Sequence, residues 1–290
     1  MSKPNYLVIG VNGSVGSALY EFFLNKGETI YGTTQRLQSV SNESIFYLNL
    51  LDNFATWPFH YLHFDVVFLC AGICSMAFCE DDPLGTRKVN IDGMTTWAKY
   101  FAERGSFIVY LSTNQVFSGR EPFAASSSLY QPLNEYGRQK AEVEAWIKSL
   151  RLNAAIVRLT KVIPKRFPLL QTWVNQLKLG QEIEAFDDMQ LAPVALRQVV
   201  HIIAIIGEKR QAGCYQISGA EDISYYQLAY YLADRLNGSK KLVRAVSAID
   251  KGIKNIFLPK FTSLDFFETT LLCGHRPPVF SEVVDECCDF

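Results

Sequence analysis

A break in the first apolar segment constrains the fold of this chain more than any other feature of its sequence. Residues 6–9 read Tyr-Leu-Val-Ile, and Gly10, Gly13 and Gly16 follow in the pattern G-x-x-G-x-x-G. An apolar strand that runs into closely spaced glycines and then into a helix is typical of a turn that brings a pyrophosphate against a helix N-terminus. The spacing alone is a weak signal, so its weight depends on the rest of the chain.

The segments after this turn alternate between strand-like and helix-like patterns. We predict a helix over residues 14–25 that ends at Gly27. The predicted strands cover residues 6–9, 29–34, 45–50, 65–72, 106–112 and 154–159. This alternation predicts an α/β fold, namely a Rossmann-type doubly wound parallel sheet with helices on both faces. Ligands of such sheets lie at the carboxyl ends of the strands, where Gly72, Thr113 and Thr160 fall.

The alternation loosens after Arg158. We predict that residues 1–160 form a dinucleotide-binding domain and that residues 193–212 return to it. Residues 161–192 and 213–290 are assigned to a smaller carboxyl-terminal part that binds the substrate. The predicted elements of this half are helices over 169–179, 197–207 and 224–236 and a strand over 214–217.

Tyr136 and Lys140 are the strongest candidates for chemistry. They are four residues apart in a helical pattern, so they share one face of the helix. A phenol beside an ammonium group can act as a proton donor in carbonyl chemistry near neutral pH. Together with the glycine loop, and in this order along the chain, the pair indicates hydride transfer.

Composition and charge exclude several other classes of protein. The chain has 290 residues and a net charge of −1, so it lacks the excess of positive charge that is typical of proteins that bind nucleic acid. We find no apolar stretch that could span a membrane and no secretion signal before the first strand. Seven cysteines make a disulfide framework improbable in a chain of this size, so we expect a cytoplasmic protein. The cysteines and histidines show no metal-ligand spacing, and we expect no metal.

Several motifs together resemble the extended short-chain dehydrogenase/reductase superfamily. The chain is most similar to its dTDP-4-dehydrorhamnose reductase branch, and the resemblance covers nearly the whole length. It rests on the glycine loop at 10–16, on Tyr136 and Lys140, and on the strand end at residues 111–119, Leu-Ser-Thr-Asn-Gln-Val-Phe-Ser-Gly. Val89-Asn90 within a helix and Pro193 before a helix agree with it.

The resemblance implies a role for each matching residue. Thr113, Tyr136 and Lys140 become the catalytic set, in which Tyr136 protonates the carbonyl oxygen and Thr113 fixes its direction. Lys140 would bind the ribose hydroxyls of the cofactor and lower the pKa of Tyr136. The implied cofactor-binding residues are Gly10, Asn12, Gly13, Ser14, Val15, Gly16, Arg36, Asn49, Leu50, Ala71, Gly72, Tyr136 and Lys140.

The end of the second strand bears on the choice of cofactor. A site for NAD usually carries an acidic residue there, whereas this chain reads Thr-Thr-Gln-Arg over residues 33–36. A guanidinium group suits a 2′-phosphate, so Arg36 favours NADP(H), with NAD(H) as the alternative. Asn49-Leu50 stands where the family usually has an acidic and an apolar residue against adenine, which is a mild departure.

Two departures concern the sugar pocket implied by the resemblance. Asn114-Gln115 replaces an Asp-Tyr pair, and Lys161 follows the sixth strand where the branch has a tryptophan. Asn114, Gln115 and Lys161 are therefore candidate substrate contacts. The partner is expected to be a small molecule, a nucleotide sugar, and the chain is compatible with a homodimer.

Three functions follow as hypotheses. The first is an NADPH-dependent reductase acting on a keto group of a nucleotide-linked deoxysugar. The second is a nucleotide-sugar epimerase or dehydratase of the same superfamily, which would retain NAD. The third is a non-catalytic NADP-binding regulatory subunit, since relatives of this branch include one.

Overall fold

The computed structural model describes residues 3–40 and 44–288. The strands are β1 (Asn5–Ile9), β2 (Thr29–Thr34), β3 (Ile45–Tyr47), β4 (Val66–Leu69), β5 (Phe107–Thr113), β6 (Ala154–Leu159), β7 (Lys161–Ile163), β8 (Ile183–Phe186), β9 (Gln190–Leu191), β10 (Pro193–Ala195), β11 (Gly213–Ile217), β12 (Ile223–Ser224) and β13 (Val243–Val246). The helices are α1 (Ser14–Asn25), α2 (Met76–Asp81), α3 (Pro83–Arg87), α4 (Met94–Ala102), α5 (Glu135–Ser149), α6 (Pro168–Lys178), α7 (Leu196–Lys209), α8 (Tyr225–Arg235), α9 (Phe267–Cys273) and α10 (Phe280–Cys287).

Seven strands form one parallel sheet in the order β11-β6-β5-β4-β1-β2-β3. The chain order reverses between β1 and β4, which is the switch point where such sheets bind ligands. The prediction of a Rossmann-type doubly wound sheet is therefore confirmed. No helix in the described ranges is both long and apolar enough to cross a bilayer.

Helices cover both faces of the sheet, which explains why its central strands are apolar throughout. On one face, α1 and α7 pack with side chains such as Phe23 and Ile203 against Val8 and Phe68. On the other face, α4 and α5 bury side chains that include Trp97. Parallel strands enclosed on both sides lose nearly all contact with water, and this burial is the main stabilising contribution.

The smaller part contains three two-stranded sheets, β7 with β10, β8 with β13 and β9 with β12, together with α6, α8 and α10. One expected boundary was wrong, because β11 was assigned to this part and instead forms the edge of the large sheet beside β6. The physical reason is its preceding helix α7, which packs against β4 and β5 and so returns the chain to the large sheet. The remaining division into two parts stays a prediction.

Most of the residue ranges predicted for elements of the large sheet agree closely with the observed ranges. The bounds of α1, β2 and β6 coincide with their predicted ranges. The third strand is shorter than predicted, because the Asn49 Oδ1 accepts a hydrogen bond of 3.1 Å from the Leu51 amide and turns the chain away from the sheet.

Candidate active site

The glycine loop lies between β1 and α1 and is held by close backbone contacts. Gly10 has a φ of +97°, and a Cβ placed on it would lie 2.8 Å from the Ala71 Cα. A Cβ on Gly16 would lie 2.2 Å from the carbonyl oxygen of Gly10. Any larger residue at either position would force the backbone apart, so both glycines are needed for this turn. The structure thereby places Gly10, Gly16 and Ala71 in contact.

The first turn of α1 faces the carboxyl edge of the sheet with unpaired amides. Gly13 is the N-cap residue and offers no side chain, so the leading N–H groups of Ser14, Val15 and Gly16 have no partner from the cap. Such a helix start favours an anionic group. The helix start and the glycine turn before it are the two features of this edge that fit the binding of a pyrophosphate.

The end of β2 lies beside the glycine loop. Thr34 Oγ1 donates a hydrogen bond to Asn12 Oδ1 and accepts one of 2.9 Å from the Arg36 amide. The Arg36 side chain is exposed and forms no ion pair within residues 3–40 and 44–288. Asn12 and Arg36 are thus held close to the loop, and the guanidinium group can accept an anion there.

Three further predicted positions follow β3 and β4. Asn49 is half-buried and Leu50 is buried, with the Leu50 carbonyl accepting a hydrogen bond of 3.2 Å from Trp97 Nε1. Gly72 lies next to Lys140, since a Cβ placed on it would be 4.0 Å from the Lys140 Nζ. These residues line the same edge of the sheet as the glycine loop.

Tyr136 and Lys140 lie in the first two turns of α5. The helix starts after Asn134, whose Oδ1 accepts a hydrogen bond of 2.9 Å from the Gly137 amide. The Lys140 Nζ is buried, donates a hydrogen bond of 2.9 Å to the Leu111 carbonyl on β5, and lies 5.9 Å from the centre of the Tyr136 ring. Thr113 ends β5, and its hydroxyl contributes a hydrogen bond to the environment of the Tyr136 phenol. The structure therefore brings Thr113, Tyr136 and Lys140 together.

The ionisation of Tyr136 differs from the sequence-based expectation. Burial raises the pKa of its phenol well above the usual 10.0, the nearby Cys74 thiol raises it further, and a hydrogen bond from Thr113 lowers it by less. Burial therefore outweighs the lowering expected from Lys140, whose amine donates to the Leu111 carbonyl and whose own pKa is lowered by burial. A tyrosine phenol is already protonated at neutral pH, and burial keeps Tyr136 in this form, which can donate a proton when negative charge develops beside it.

A buried ion pair fixes α5 against the strand ends. Glu144 lies one turn beyond Lys140, and its Oε2 is 2.7 Å from the Arg158 Nη2 on β6, with both side chains fully buried. Ser112 Oγ donates to Glu144 Oε1 at 2.5 Å, and Arg158 Nη1 donates to Gln216 Oε1 on β11 at 3.1 Å. Removing one partner would leave an uncompensated buried charge, so the network holds β5, β6 and α5 in one register.

Sequence reasoning missed the role of Asn90 at this edge. It lies in a π-helical turn, Lys88–Gly93, that continues α3 into α4. Its Oδ1 accepts a hydrogen bond of 2.8 Å from the Ile73 amide, and its Nδ2 donates to Gln139 Oε1 at 2.8 Å. Asn90 therefore ties the segment after Gly72 to the helix that carries Tyr136. The available signal was the Val89-Asn90 pair, whose polar member is out of place on a buried helix face.

A cavity of about 180 Å³ opens beside the Tyr136 phenol. Five of its lining residues were predicted from the sequence, namely Thr113, Asn114, Gln115, Tyr136 and Lys161. Thr160 was expected at a strand end where ligands bind, and the remaining lining residues were missed, namely Cys74, Met76, Met189, Gln190, Leu191, Tyr225, Phe257, Pro259 and Thr262. Asn114 Nδ2 donates to the Thr262 carbonyl at 3.3 Å, so the predicted and missed walls are in direct contact.

The cysteines near this site are free thiols. Burial raises the pKa of Cys70 to about 12, whereas Cys74 is exposed at the cavity. Within the described part of the chain, no three or more His, Cys, Asp or Glu side chains are grouped so that they could hold a metal ion.

The fold, together with Tyr136 and Lys140 at the carboxyl edge of its sheet, defines a protein of the extended short-chain dehydrogenase/reductase class. More narrowly, the chain belongs to the RmlD substrate binding domain family, whose sequence pattern matches residues 5–289.

Known proteins with different names are similar to this chain. Methionine adenosyltransferase 2 subunit beta of Bos taurus is 26% identical over 295 residues, which cover 94% of this chain and 84% of that protein. The dTDP-4-dehydrorhamnose reductase of Sinorhizobium fredii (strain NBRC 101917 / NGR234) is 24% identical and covers 64% of this chain and 67% of its own length. The crystal structure of dTDP-4-dehydrorhamnose reductase from Bacillus anthracis str. Ames in complex with NADP has a TM-score of 0.82 at 22% identity and covers 99% of both chains.

Proposed function

We propose that the protein is an NADPH-dependent reductase that acts on a keto group of a nucleotide-linked deoxysugar. The observation that carries the proposal is the position of Tyr136, with Thr113 and Lys140, between the glycine loop and an open cavity. The family and the named dTDP-4-dehydrorhamnose reductases support the same class of reaction.

The residues at the carboxyl edge fit a nicotinamide dinucleotide phosphate. Gly10 and Gly16 allow the close approach of a pyrophosphate to the α1 N-terminus, and Arg36 has the charge that a 2′-phosphate requires. Lys140 offers an amine beside Gly72 for ribose hydroxyls. When bound, the cofactor supplies a hydride to the carbonyl carbon of the substrate. NADP in the related Bacillus anthracis structure supports this choice of cofactor.

The protein itself supplies the proton and orients the carbonyl group of the substrate. The Tyr136 hydroxyl donates its proton to the substrate oxygen as negative charge develops there. Thr113 directs a second hydrogen bond at the same oxygen, and Lys140 stabilises the phenolate that remains. Asn114, Gln115 and Lys161 line the cavity next to Tyr136, which supports them as contacts of the sugar.

A second candidate is a non-catalytic regulatory subunit. It is favoured by the relatives named as subunit beta of methionine adenosyltransferase 2, which match 94% of this chain. Such a subunit would use the dinucleotide site for binding alone and would associate with a methionine adenosyltransferase. We rank it second because Thr113, Tyr136 and Lys140 lie together at a cavity, which weighs against it, although Tyr136 and Lys140 could serve cofactor binding alone.

One set of measurements separates the two candidates. The purified protein is assayed for NADPH oxidation with dTDP-4-keto-6-deoxy sugars, and in parallel it is mixed with a methionine adenosyltransferase catalytic subunit and analysed by size-exclusion chromatography. Turnover that is lost in Tyr136→Phe supports the reductase. Absence of turnover together with a stable co-eluting complex contradicts it and supports the regulatory subunit.

A further inference from the structure

The amine of Lys140 is a buried charge without a carboxylate of its own. The residue is 5% exposed, and the amine donates a hydrogen bond of 2.9 Å to the Leu111 carbonyl. It forms no ion pair in the part of the chain that the structure describes, and Glu144, one turn further along α5, is paired with Arg158 at 2.7 Å. An ammonium group removed from water without a partner costs free energy, so another group must offset part of this cost.

Three thiols lie near the amine, those of Cys70, Cys74 and Cys79. Burial raises the pKa of Cys70 to about 12 and also raises the pKa of Cys79, so both thiols are neutral at pH 7. Cys74 Sγ donates a hydrogen bond of 3.8 Å to the Gly72 carbonyl, and a thiol that donates its proton carries no charge. The sulfur atoms therefore do not replace the missing carboxylate.

The aromatic ring of Tyr110 lies against this amine. Tyr110 is fully buried on β5, and the Lys140 Nζ is 4.8 Å from the centre of its ring, compared with 5.9 Å for the ring of Tyr136. A cation within about 6 Å of a ring centre is attracted by the π electrons, and the attraction is stronger away from water. Burial raises the pKa of both phenols well above the usual 10.0, so both rings are neutral. Tyr110 is thus the nearer of two neutral rings that face the charge.

The hydroxyl group of Tyr110 does not account for the aromatic residue at this position. It is buried and has no hydrogen-bond partner among the described residues, which is unfavourable by itself. The ring is the part of the side chain that meets a complementary group. We propose that Tyr110 is a positioning residue, whose ring stabilises the buried ammonium group of Lys140 and holds it beside Gly72 for the ribose of the cofactor. This inference rests on the proposed function, because that function gives Lys140 its role in cofactor binding.

Fluorination of the ring tests the proposal while nearly preserving its shape. Tyr110→Phe removes only the unpartnered hydroxyl group, and Tyr110→trifluorophenylalanine also withdraws the electrons that attract a cation. In urea denaturation at pH 7 without cofactor, we expect the trifluoro variant to unfold at a lower urea concentration than Tyr110→Phe. The two should unfold at the same concentration once Lys140→Met is added, because no cation remains. A difference of the same size in both backgrounds, or no difference in either, would overturn the inference.

The affinity for NADPH provides a second measurement, which a role in packing alone would not change. Between pH 7 and 10, NADPH should bind more weakly as Lys140 loses its proton. Burial already lowers the pKa of this amine, and loss of the ring attraction lowers it further, so the trifluoro variant should weaken at a lower pH than Tyr110→Phe. The largest difference between the two should be roughly 30-fold, the value for a buried cation–π contact.

The controls separate failure of this inference from failure of the proposed function. Phe107→trifluorophenylalanine changes a buried ring on the same strand but on the opposite face of the sheet, and it should leave the NADPH profile unchanged. Identical profiles for the two Tyr110 variants, in a protein whose NADPH affinity falls in Lys140→Met, would overturn the inference and leave the proposed function intact. Failure of the native protein to bind NADPH would contradict the proposed function, and the urea measurements would still decide whether Tyr110 stabilises the amine.

Discussion

The two halves of the candidate site are built from different parts of the chain. The cofactor end uses the glycine loop and the ends of β2 and β4, which all come from the first 72 residues and present mainly backbone atoms. The cavity end uses side chains from segments as far apart as Cys74 and Thr262. A binding surface made of backbone tolerates sequence change except at glycine, whereas one made of side chains can be altered one residue at a time.

This difference between the two ends explains how relatives can share a fold and still have different named functions. The cofactor end matches the pattern of a large class, and the same backbone turn serves reductases and other members alike. The cavity end is where this chain departs, with Asn114, Gln115 and Lys161 in place of the expected residues. Variants at the two ends should therefore have separable effects.

The largest effect is expected for Tyr136→Phe, which removes one hydroxyl group between the two ends. If the protein is the proposed reductase, turnover of a 4-keto sugar nucleotide should fall roughly 10²–10⁴-fold, because a general acid is lost. NADPH affinity should stay nearly normal, since the ring still packs. Initial rates and a fluorescence titration of NADPH measure the two quantities. Tyr61→Phe, at an exposed tyrosine, is the control for the substitution, and near-normal turnover in Tyr136→Phe would move the chemistry elsewhere.

An intermediate effect is expected for Arg36→Ala, which changes the cofactor end alone. NADPH affinity should fall roughly 10–150-fold through loss of a charge-assisted contact, while NADH affinity stays unchanged. Arg151→Ala, before β6 at the opposite edge of the sheet, is the matched control. Equal losses of affinity for NADPH and NADH would show that Arg36 does not bind the 2′-phosphate.

The smallest effect is expected on stability, from comparing two glycines of one loop. Gly16→Ala should lower the free energy of unfolding by about 1–3 kcal/mol, since its Cβ meets a backbone oxygen that cannot move away. Gly13→Ala should be nearly neutral, because the nearest atom to its Cβ is 3.7 Å away and its backbone is extended. Urea denaturation without cofactor measures both. Similar stabilities of the two variants would refute the backbone account of this end.

The sequence predicted the cofactor end well because its signals are local. A strand, a glycine turn and a helix follow one another within 25 residues, and the period of each element is visible in the residues themselves. Tyr136 and Lys140 were found for the same reason, since one helical turn separates them. Asn90 was noticed only as a motif, because its function depends on a π-helical turn that no periodicity reveals.

The cavity walls could not be predicted because they meet only through the tertiary fold. Tyr225 and Thr262 lie far from Tyr136 in sequence, and short strands such as β9 and β12 have two residues each and give no pattern. Arg158 was given no role from the sequence, whereas it is buried in an ion pair with Glu144. The pKa of Tyr136 was likewise misjudged, because burial outweighs a charge four residues away.

β11 is synthesised long after β6, its partner in the sheet, and this delay has a consequence for biosynthesis. Until residue 217 has left the ribosome, β6 is an open edge with apolar residues such as Ile156 and Val157, and Arg158 lacks its contact with Gln216. Open apolar edges pair with other chains, so the nascent protein is exposed to aggregation during this interval. A fragment that ends after β6 would keep this edge permanently. The cofactor-binding half therefore cannot be produced as an independent domain by truncating the protein at that boundary.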